Sequence, residues 1–397
     1  MKVAESIAEQ LGQRIRDLRE RQGLSQQELA QRAGIATSTL SEIETGRYTP
    51  NLKIVLSLAE SLHVPLDTLL RVQQPPLQAL LRAVETPTNV GVLQQWAERC
   101  YRYAQVEKLA GVEVTPAPAY PSPRSLEEAE RISIQERERL RLGTQPVADI
   151  VQIVENNGLR VVGTELAEND VDGILLHNGT LGAFALINRS VPPARQCFTL
   201  LHEYAHYLMH REQPVHVDYH TLSSEKWQEA VANRFAAAFL MPEADILEVL
   251  KPFRLPHRKG AIPLYVWILL RRRYRVSQSA LAWRLYSLGW ISDQEHGWVL
   301  RNGRTLYEAE KTIFGNVEEP KPIPALTDRA VALIAHAYAR EETTAAFTAE
   351  TLQKPLALIL DYLQIVRLPV PALMEHLRHK ENASGGSAVD DRSVALD

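Results

Sequence analysis

Two histidines and a glutamate in the stretch FTLLHEYAHYLMH, residues 198–210, have the spacing of a metal site. On a helix, His202 and His206 lie one turn apart on the same face, so both imidazoles can point at one ion. Neutral imidazole nitrogens suit zinc, and Glu203 could accept a proton from a zinc-bound water. The spacing therefore predicts a zinc site that hydrolyses peptide bonds. The alternative is an ordinary helix that happens to carry two surface histidines.

Such a site needs a third protein ligand. The pattern HExxHxxGxxH would require glycine at position 209 and histidine at position 212, where the chain has Met209 and Glu212. The other arrangement takes a carboxylate from the next helix. The segment SSEKWQEAVANRFAAAFLMP, residues 223–242, has helical apolar spacing and supplies two candidates, Glu225 and Glu229.

Taken together, these segments resemble the ImmA/IrrE family of bacterial metallopeptidases. RQCFTLLHEYAHYLMH followed by EAVANRFAAAFLMP is similar to the family's two helices, and RLRLGTQPVADIVQIVENNGLRVV to its entry helix and first strand. The resemblance covers roughly residues 130–290. The matching positions are Asn188, Arg195, Phe198, Thr199, His202, Glu203, His206, Glu229, Ala232, Asn233, Phe235, Ala236, Met241 and Pro242.

The resemblance assigns roles to five of these residues. It implies that zinc is held by His202, His206 and Glu229, while Glu203 acts as general base and later as proton donor. Asn233, one turn after Glu229, would orient a metal-bound imidazole. Glu225 is then a solvated helix residue.

The sequence gives weaker support for a catalytic role of other residues near the helix that carries His202 and His206. His210 is expected at the frayed helix end. Tyr219, His216 and His220 follow in a loop and are candidate donors to an oxyanion, although exposed loop residues are the simpler interpretation. The strand GAFALINRS, residues 182–190, is expected to form the cleft wall, with an edge that could pair with an extended peptide.

The N-terminal residues 10–70 have the pattern of short helices joined by tight turns. Ser25 and Glu28 can form a capping box, and Gly34 can adopt a left-handed turn. Thr37 or Ser38 is expected to cap the following helix, which Gly46 would close. This spacing is typical of a helix-turn-helix.

The same region resembles the Cro/C1-type, or XRE, helix-turn-helix domain through LSQQELA and AGIATSTLSEIETGR. The resemblance implies that DNA is contacted by a recognition helix, by a helix start near a phosphate and by one arginine. Residues 1–70 hold eight Lys and Arg against nine Asp and Glu, so one copy should bind DNA weakly. We therefore expect a homodimer on a palindromic operator. The alternative is a domain that recognises a repressor of the same fold. The expected contacts are Gln26 and Gln27 at the helix start, Thr37, Ser38, Thr39 and Glu42 on the recognition helix, and Arg47 at a phosphate.

Composition is that of a globular chain: 397 residues, 45% hydrophobic, 23% charged, with a net charge of −4. The two cysteines, Cys100 and Cys197, argue against a disulfide scaffold and a thiolate metal site. The charged N-terminus does not look like a signal peptide. The longest notable apolar run, residues 262–270, is too short to span a bilayer. We expect a cytoplasmic protein without membrane contact.

We expect a mainly α fold with a small β-sheet (α+β). Short apolar runs at GLRVVG, DGILLHNG and GAFALINRS predict its strands. The expected segments are a helix-turn-helix domain at 1–72, a helical connector and proline-rich linker at 73–125, a zincin-like peptidase core at 126–250, a helical extension at 251–319, a helical C-terminal region at 320–382 and a disordered tail at 383–397.

The two resemblances together imply a DNA-binding zinc metallopeptidase. It would regulate transcription by cleaving a repressor or antitoxin-like partner in a stress or phage response. One alternative is a non-proteolytic XRE-family regulator whose metallopeptidase fold is a sensor. Another is a partner-binding module of a toxin–antitoxin pair. Manganese or iron could also occupy such a site.

Overall fold

The computed structural model describes residues 2–64, 69, 90–165, 171–178, 181–211, 215–219, 226–255 and 262–366. Several predicted features lie outside the described residues. They are the tail at 383–397, residues 73–89 of the connector, His220 and Glu225. The chain divides into two compact units, residues 1–77 and 78–397, which we describe separately.

The N-terminal unit is a small helical bundle. Its helices are α1 (Lys2–Arg21), α2 (Gln26–Ala33), α3 (Thr37–Glu44) and α4 (Leu52–Ser61). Ile15, Leu29, Leu40 and Leu58 are fully buried in its core. Helix α1 approaches α3 so closely at Gly12 that a Cβ there would lie 2.0 Å from the carbonyl oxygen of Ile43. Glycine at position 12 is therefore required for this packing.

The turns around α2 and α3 confirm part of the predicted capping. Ser25 and Glu28 form the capping box, and Gly34 has a φ of 65°. The predicted cap of α3 is wrong, because its N-cap is Ala36, which makes no side-chain hydrogen bond. Thr37 and Ser38 already belong to the first turn, where their side chains remain exposed.

The second unit joins a four-stranded sheet to many helices. In chain order its elements are α5 (Val90–Leu109), α6 (Leu126–Arg139), α7 (Ile150–Asn156), β1 (Leu159–Thr164), β2 (Val171–Asn178), β3 (Gly182–Asn188), α8 (Pro193–Met209), β4 (Val215–Tyr219), α9 (Lys226–Leu240), α10 (Glu243–Leu250), α11 (Leu264–Tyr274), α12 (Gln278–Ser287), α13 (Asp293–Phe314), α14 (Asp328–Ala339), α15 (Ala345–Leu352) and α16 (Leu356–Ile365). This confirms the mainly α fold with a small sheet. Within the described residues, no helix has the length and apolar character needed to cross a membrane.

The strand order is β1-β3-β2-β4, with β1 parallel to β3 and the other two pairs antiparallel. The three predicted strands are confirmed, whereas β4 falls in the segment expected to be a loop. Strand β3 is hydrogen-bonded on both sides, so the prediction that its edge could pair with a peptide is wrong. Among the described strands, β1 and β4 end the sheet.

Helices cover both faces of the sheet. Val161, Leu175 and Ala185 share one apolar cluster with residues of α7, α8 and α9. Val162 and Phe184 point to the other face and share a second cluster with residues of α5 and α14. This division follows from the alternation of side chains along a strand.

The proline-rich segment 111–125 is not a linker that stands apart from the core. The backbone N–H of Ala117 donates to the carbonyl oxygen of Asn157 at 2.9 Å, and that of Tyr120 donates to Leu208 at 2.9 Å. Ala117 is buried in the same cluster as α8. The prediction is wrong here because these partners lie far away in the sequence.

Candidate functional site

Helix α8 carries the predicted metal-binding motif into the interior of the second unit. It begins at a proline in its first turn, where the missing N–H costs no hydrogen bond. His202, Glu203 and His206 are all buried because α8 packs between the sheet and α9. Buried groups of this polarity need partners, which the neighbouring helix supplies.

The side chains of α8 and α9 converge on one point. The Nε2 atoms of His202 and His206 are 3.0 Å apart. Glu229 on α9 places one carboxylate oxygen 3.1 Å from Nε2 of His202 and the other 3.5 Å from Nε2 of His206. All three residues offer a ligand atom within 4.8 Å of one another. Two imidazole nitrogens and a carboxylate form a donor set that fits zinc.

Electrostatics at this point favour an ionised carboxylate. Burial by itself raises the pKa of Glu229, but its interactions with the imidazoles of His202 and His206 outweigh it and hold that pKa well below its usual range. Glu229 is therefore negatively charged at neutral pH. A negative charge between two imidazole nitrogens is the arrangement that attracts a cation.

The outer nitrogens of both imidazoles also have partners. Nδ1 of His202 lies 3.1 Å from Oδ1 of Asn233, so the Nδ1–H can donate to the amide oxygen and leave Nε2 as an acceptor. Nδ1 of His206 lies 2.9 Å from Nδ1 of His210. His210 is buried rather than at a frayed, exposed helix end, and burial lowers its pKa. Sequence reasoning underrated it, although its spacing of four from His206 was the available signal.

Glu203 projects from α8 towards β2. A Cβ built on Gly173 of that strand would lie 3.0 Å from Oε1 of Glu203 and 2.5 Å from Cγ2 of Thr199. Gly173 therefore leaves the space that the Glu203 carboxylate occupies. Sequence reasoning missed Gly173, although an isolated glycine inside an apolar strand often marks such a close approach.

Three other residues of the matched motif connect the strands to each other and to α8. Arg195 donates to Asp172 on β2 at 2.6 Å. The side-chain amide of Asn188 donates to the carbonyl oxygen of Val171 at 3.0 Å. Thr199 packs at Gly173. These contacts fix β2 and β3 relative to the helix that carries the histidines.

The predicted oxyanion donors cannot be placed by their side chains. His220 lies outside the described residues, and the structure describes β4 only by its backbone at His216 and Tyr219. That backbone pairs with β2 next to the site, because Gly173 is opposite Asp218 and Leu175 is opposite His216.

In the N-terminal unit, most of the predicted DNA contacts are accessible. Gln27, Thr37, Ser38, Glu42 and Arg47 are exposed, and Thr39 is half-buried.

Gln26 differs from these residues, because its side-chain amide donates to Glu44 at 2.7 Å. Glu44 is buried and also accepts from Arg19 at 2.7 Å. A phosphate contact by Gln26 would have to replace this internal bond.

Comparison with known proteins identifies two domains. Residues 154–286 match the sequence model of the Peptidase_M78 family, the IrrE N-terminal-like domain. Residues 15–69 match the sequence model of a helix-turn-helix domain. An uncharacterized HTH-type transcriptional regulator of Archaeoglobus fulgidus is 32% identical over 56 residues, which cover 14% of this chain and 80% of that protein. Another from Methanothermobacter thermautotrophicus is 42% identical over 48 residues, 12% of this chain and 70% of that protein.

Two solved structures align over most of the chain. One is Bacillus thuringiensis PlcR in complex with the peptide PapR7 and DNA, at 15% identity and a TM-score of 0.16, covering 94% of this chain and 98% of that one. The other is ComR from Streptococcus suis, at 10% identity and a TM-score of 0.16, covering 94% and 96%.

The helix-turn-helix match implies DNA binding, and the buried histidines and Glu229 lie inside the region matched by the peptidase-like domain. The chain belongs to the helix-turn-helix transcriptional regulators and carries, in the same polypeptide, an IrrE N-terminal-like domain of the Peptidase_M78 family.

Proposed function

We propose that this regulator is a zinc-dependent endopeptidase that cleaves a specific protein partner, a repressor or an antitoxin-like protein, in a stress or phage response. The observation that carries the proposal is the convergence of His202, His206 and Glu229 beside a buried Glu203. A purely structural metal site would not need that additional carboxylate.

The chain's own residues suggest how the reaction is arranged. When bound, zinc would supply a Lewis acid that activates water and polarises the scissile carbonyl. Glu203 accepts the proton of the attacking water and returns it to the leaving amine. Asn233 and His210 hold the two imidazoles in orientation through their Nδ1 atoms. The burial of α8 keeps bulk water away from these groups.

The sheet suggests where a substrate would lie. Strand β4 is the last described strand on the side of β2, and Gly173 of β2 faces Glu203. An extended peptide added at the edge of β4 would run beside the strand pair that contacts the site. The substrate segment must therefore be locally unfolded.

DNA binding would place the peptidase near the genes that its partner controls. The helix-turn-helix unit presents α3, and its near-zero net charge favours a dimer on a palindromic operator over a single copy. The operator can be identified by sequencing the DNA that cross-links to the full chain.

The test is a comparison of cells that produce the wild-type chain with cells that produce Glu203→Gln. New protein N-termini should appear only with the wild-type chain. Glu248→Gln, a highly exposed glutamate on α10, is the matched control and should behave as wild type. Equal regulation by wild type and Glu203→Gln, without new N-termini, would favour the alternative of a non-proteolytic sensor.

A further inference from the structure

A cavity of about 280 Å³ lies between α5 and the C-terminal helices α14 and α15. Tyr103 and Ala330, which line it, belong to the cluster on the face of the sheet opposite the histidines. The cavity is therefore separate from the metal site. Its volume is near the lower end of the range for small-molecule pockets.

One part of the cavity wall is apolar. Val106 on α5 and Ala330 and Ile334 on α14 are buried, and half-buried Leu326 lies beside them. The ring of Tyr103 completes this wall. A hydrocarbon or aromatic group that binds here is removed from water, which is favourable.

The charged residues of the wall are not equivalent. Arg102 is neutralised by two carboxylates, those of Glu98 at 2.8 Å and Glu350 at 2.7 Å. Arg99 instead donates to neutral acceptors, the carbonyl oxygen of Gly163 at 3.1 Å and the side-chain oxygen of Gln353 at 2.8 Å. A guanidinium has five N–H donors, so these two bonds leave Arg99 with donors to spare.

The surroundings of Arg99 hold charges of both signs. Burial lowers the pKa of Arg99 and the positive charge of Arg189 lowers it further, whereas Cys100 and Glu165 raise it. Arg189 itself lies 3.3 Å from Glu165, whose side chain is largely exposed. An anion beside Arg99 would meet a guanidinium whose hydrogen-bond acceptors are neutral, whereas a cation would compete with Arg102 for the carboxylates of Glu98 and Glu350.

We propose that this cavity binds a small amphipathic carboxylate. Its carboxylate accepts hydrogen bonds from Arg99 in the paired geometry that a guanidinium favours. Its apolar body packs against Val106, Ala330 and Ile334. Bound there, it ties α5 to α15, which Arg99 and Arg102 already link through Gln353 and Glu350.

Isothermal titration of the full chain tests the proposal, with phenylacetate and octanoate as probes. Phenylacetamide and octanamide are the uncharged controls of the same shape. At least one carboxylate should bind, and about tenfold or more tightly than its amide, because only the anion pairs with Arg99. Arg99→Gln should remove that preference. Glu342→Gln, which changes an exposed glutamate outside the cavity lining, is the control and should leave carboxylate binding unchanged.

Three results would overturn the proposal: no saturable binding of either carboxylate, equal binding of carboxylate and amide, or unchanged carboxylate affinity in Arg99→Gln. Thermal unfolding of each variant checks that it folds. If Arg99→Gln does not fold, the comparison of acid with amide on the wild-type chain still decides. Ile334→Phe, which reduces the cavity volume, should then weaken the binding of each carboxylate that binds the wild-type chain.

Discussion

Helix α3 carries most of the predicted DNA contacts and helix α8 most of the predicted metal site, and these residues differ in how far they are buried. On α8 the histidines and Glu203 are enclosed, and the histidines contact Glu229, Asn233 and His210. On α3 the side chains of Thr37, Ser38 and Glu42 face solvent. A buried polar site must satisfy its groups internally, so its geometry indicates its chemistry. The side chains of an exposed site have no internal partners, so their geometry shows only that a ligand could reach them.

The largest effect is expected at Glu203. Glu203→Gln retains the shape of the side chain but cannot accept a proton, so cleavage of the partner should slow by about a hundredfold or more. Bound metal and the unfolding temperature should stay near wild type. The rate is measured on the partner identified from new N-termini, with Glu248→Gln alongside. Full cleavage by Glu203→Gln would show that the base is another group.

The next largest effect is expected at His210. His210→Ala removes the group that contacts Nδ1 of His206, so metal affinity should fall by about 10- to 100-fold. Competition with a chromophoric chelator measures this change. His336→Ala, an exposed histidine on α14, should leave affinity unchanged. Equal affinity in both variants would mean that His210 does not orient His206.

A smaller effect is expected at the contact between β2 and α8. Gly173→Ala introduces a Cβ against Thr199 and Glu203 and should lower the free energy of unfolding by about 1–3 kcal/mol. Gly297→Ala is the matched control, since its Cβ would meet only the flexible end of Arg301 at 3.3 Å. Urea unfolding compares the two. A Gly173→Ala chain as stable as wild type would contradict the close approach.

The smallest effect is expected in the exposed helix-turn-helix unit. Arg47→Ala should weaken operator binding by several-fold and reduce the salt dependence of binding by about one phosphate contact. Titration of labelled operator at several salt concentrations measures both quantities. Arg32→Ala, an exposed arginine on α2, is the control. An unchanged salt slope in Arg47→Ala would remove Arg47 from the predicted contacts.

The parts of the molecule that could be predicted from the sequence are those set by local periodicity. The spacing of four between His202 and His206 fixes their common face once the segment is a helix. The capping box of Ser25 and Glu28 is likewise local. The convergence with Glu229 required a second helix packed on the first, and the family resemblance supplied that relation.

The features that were missed depend on contacts between distant parts of the chain. Strand β4 has only five residues, and their types do not predict that they pair with β2. Segment 111–125 packs through Asn157 and Leu208, far along the sequence. Gln26 is held by Glu44 on another helix. Gly173 matters only because α8 crosses β2 at that position.

The most direct test of the account is the metal content of the purified full chain, measured by elemental mass spectrometry beside Glu229→Ala. We expect about one zinc ion per wild-type chain and its loss in the variant, because Glu229 would supply the third ligand. Absence of metal from the wild-type chain, or the same content in both proteins, would contradict the site formed by His202, His206 and Glu229.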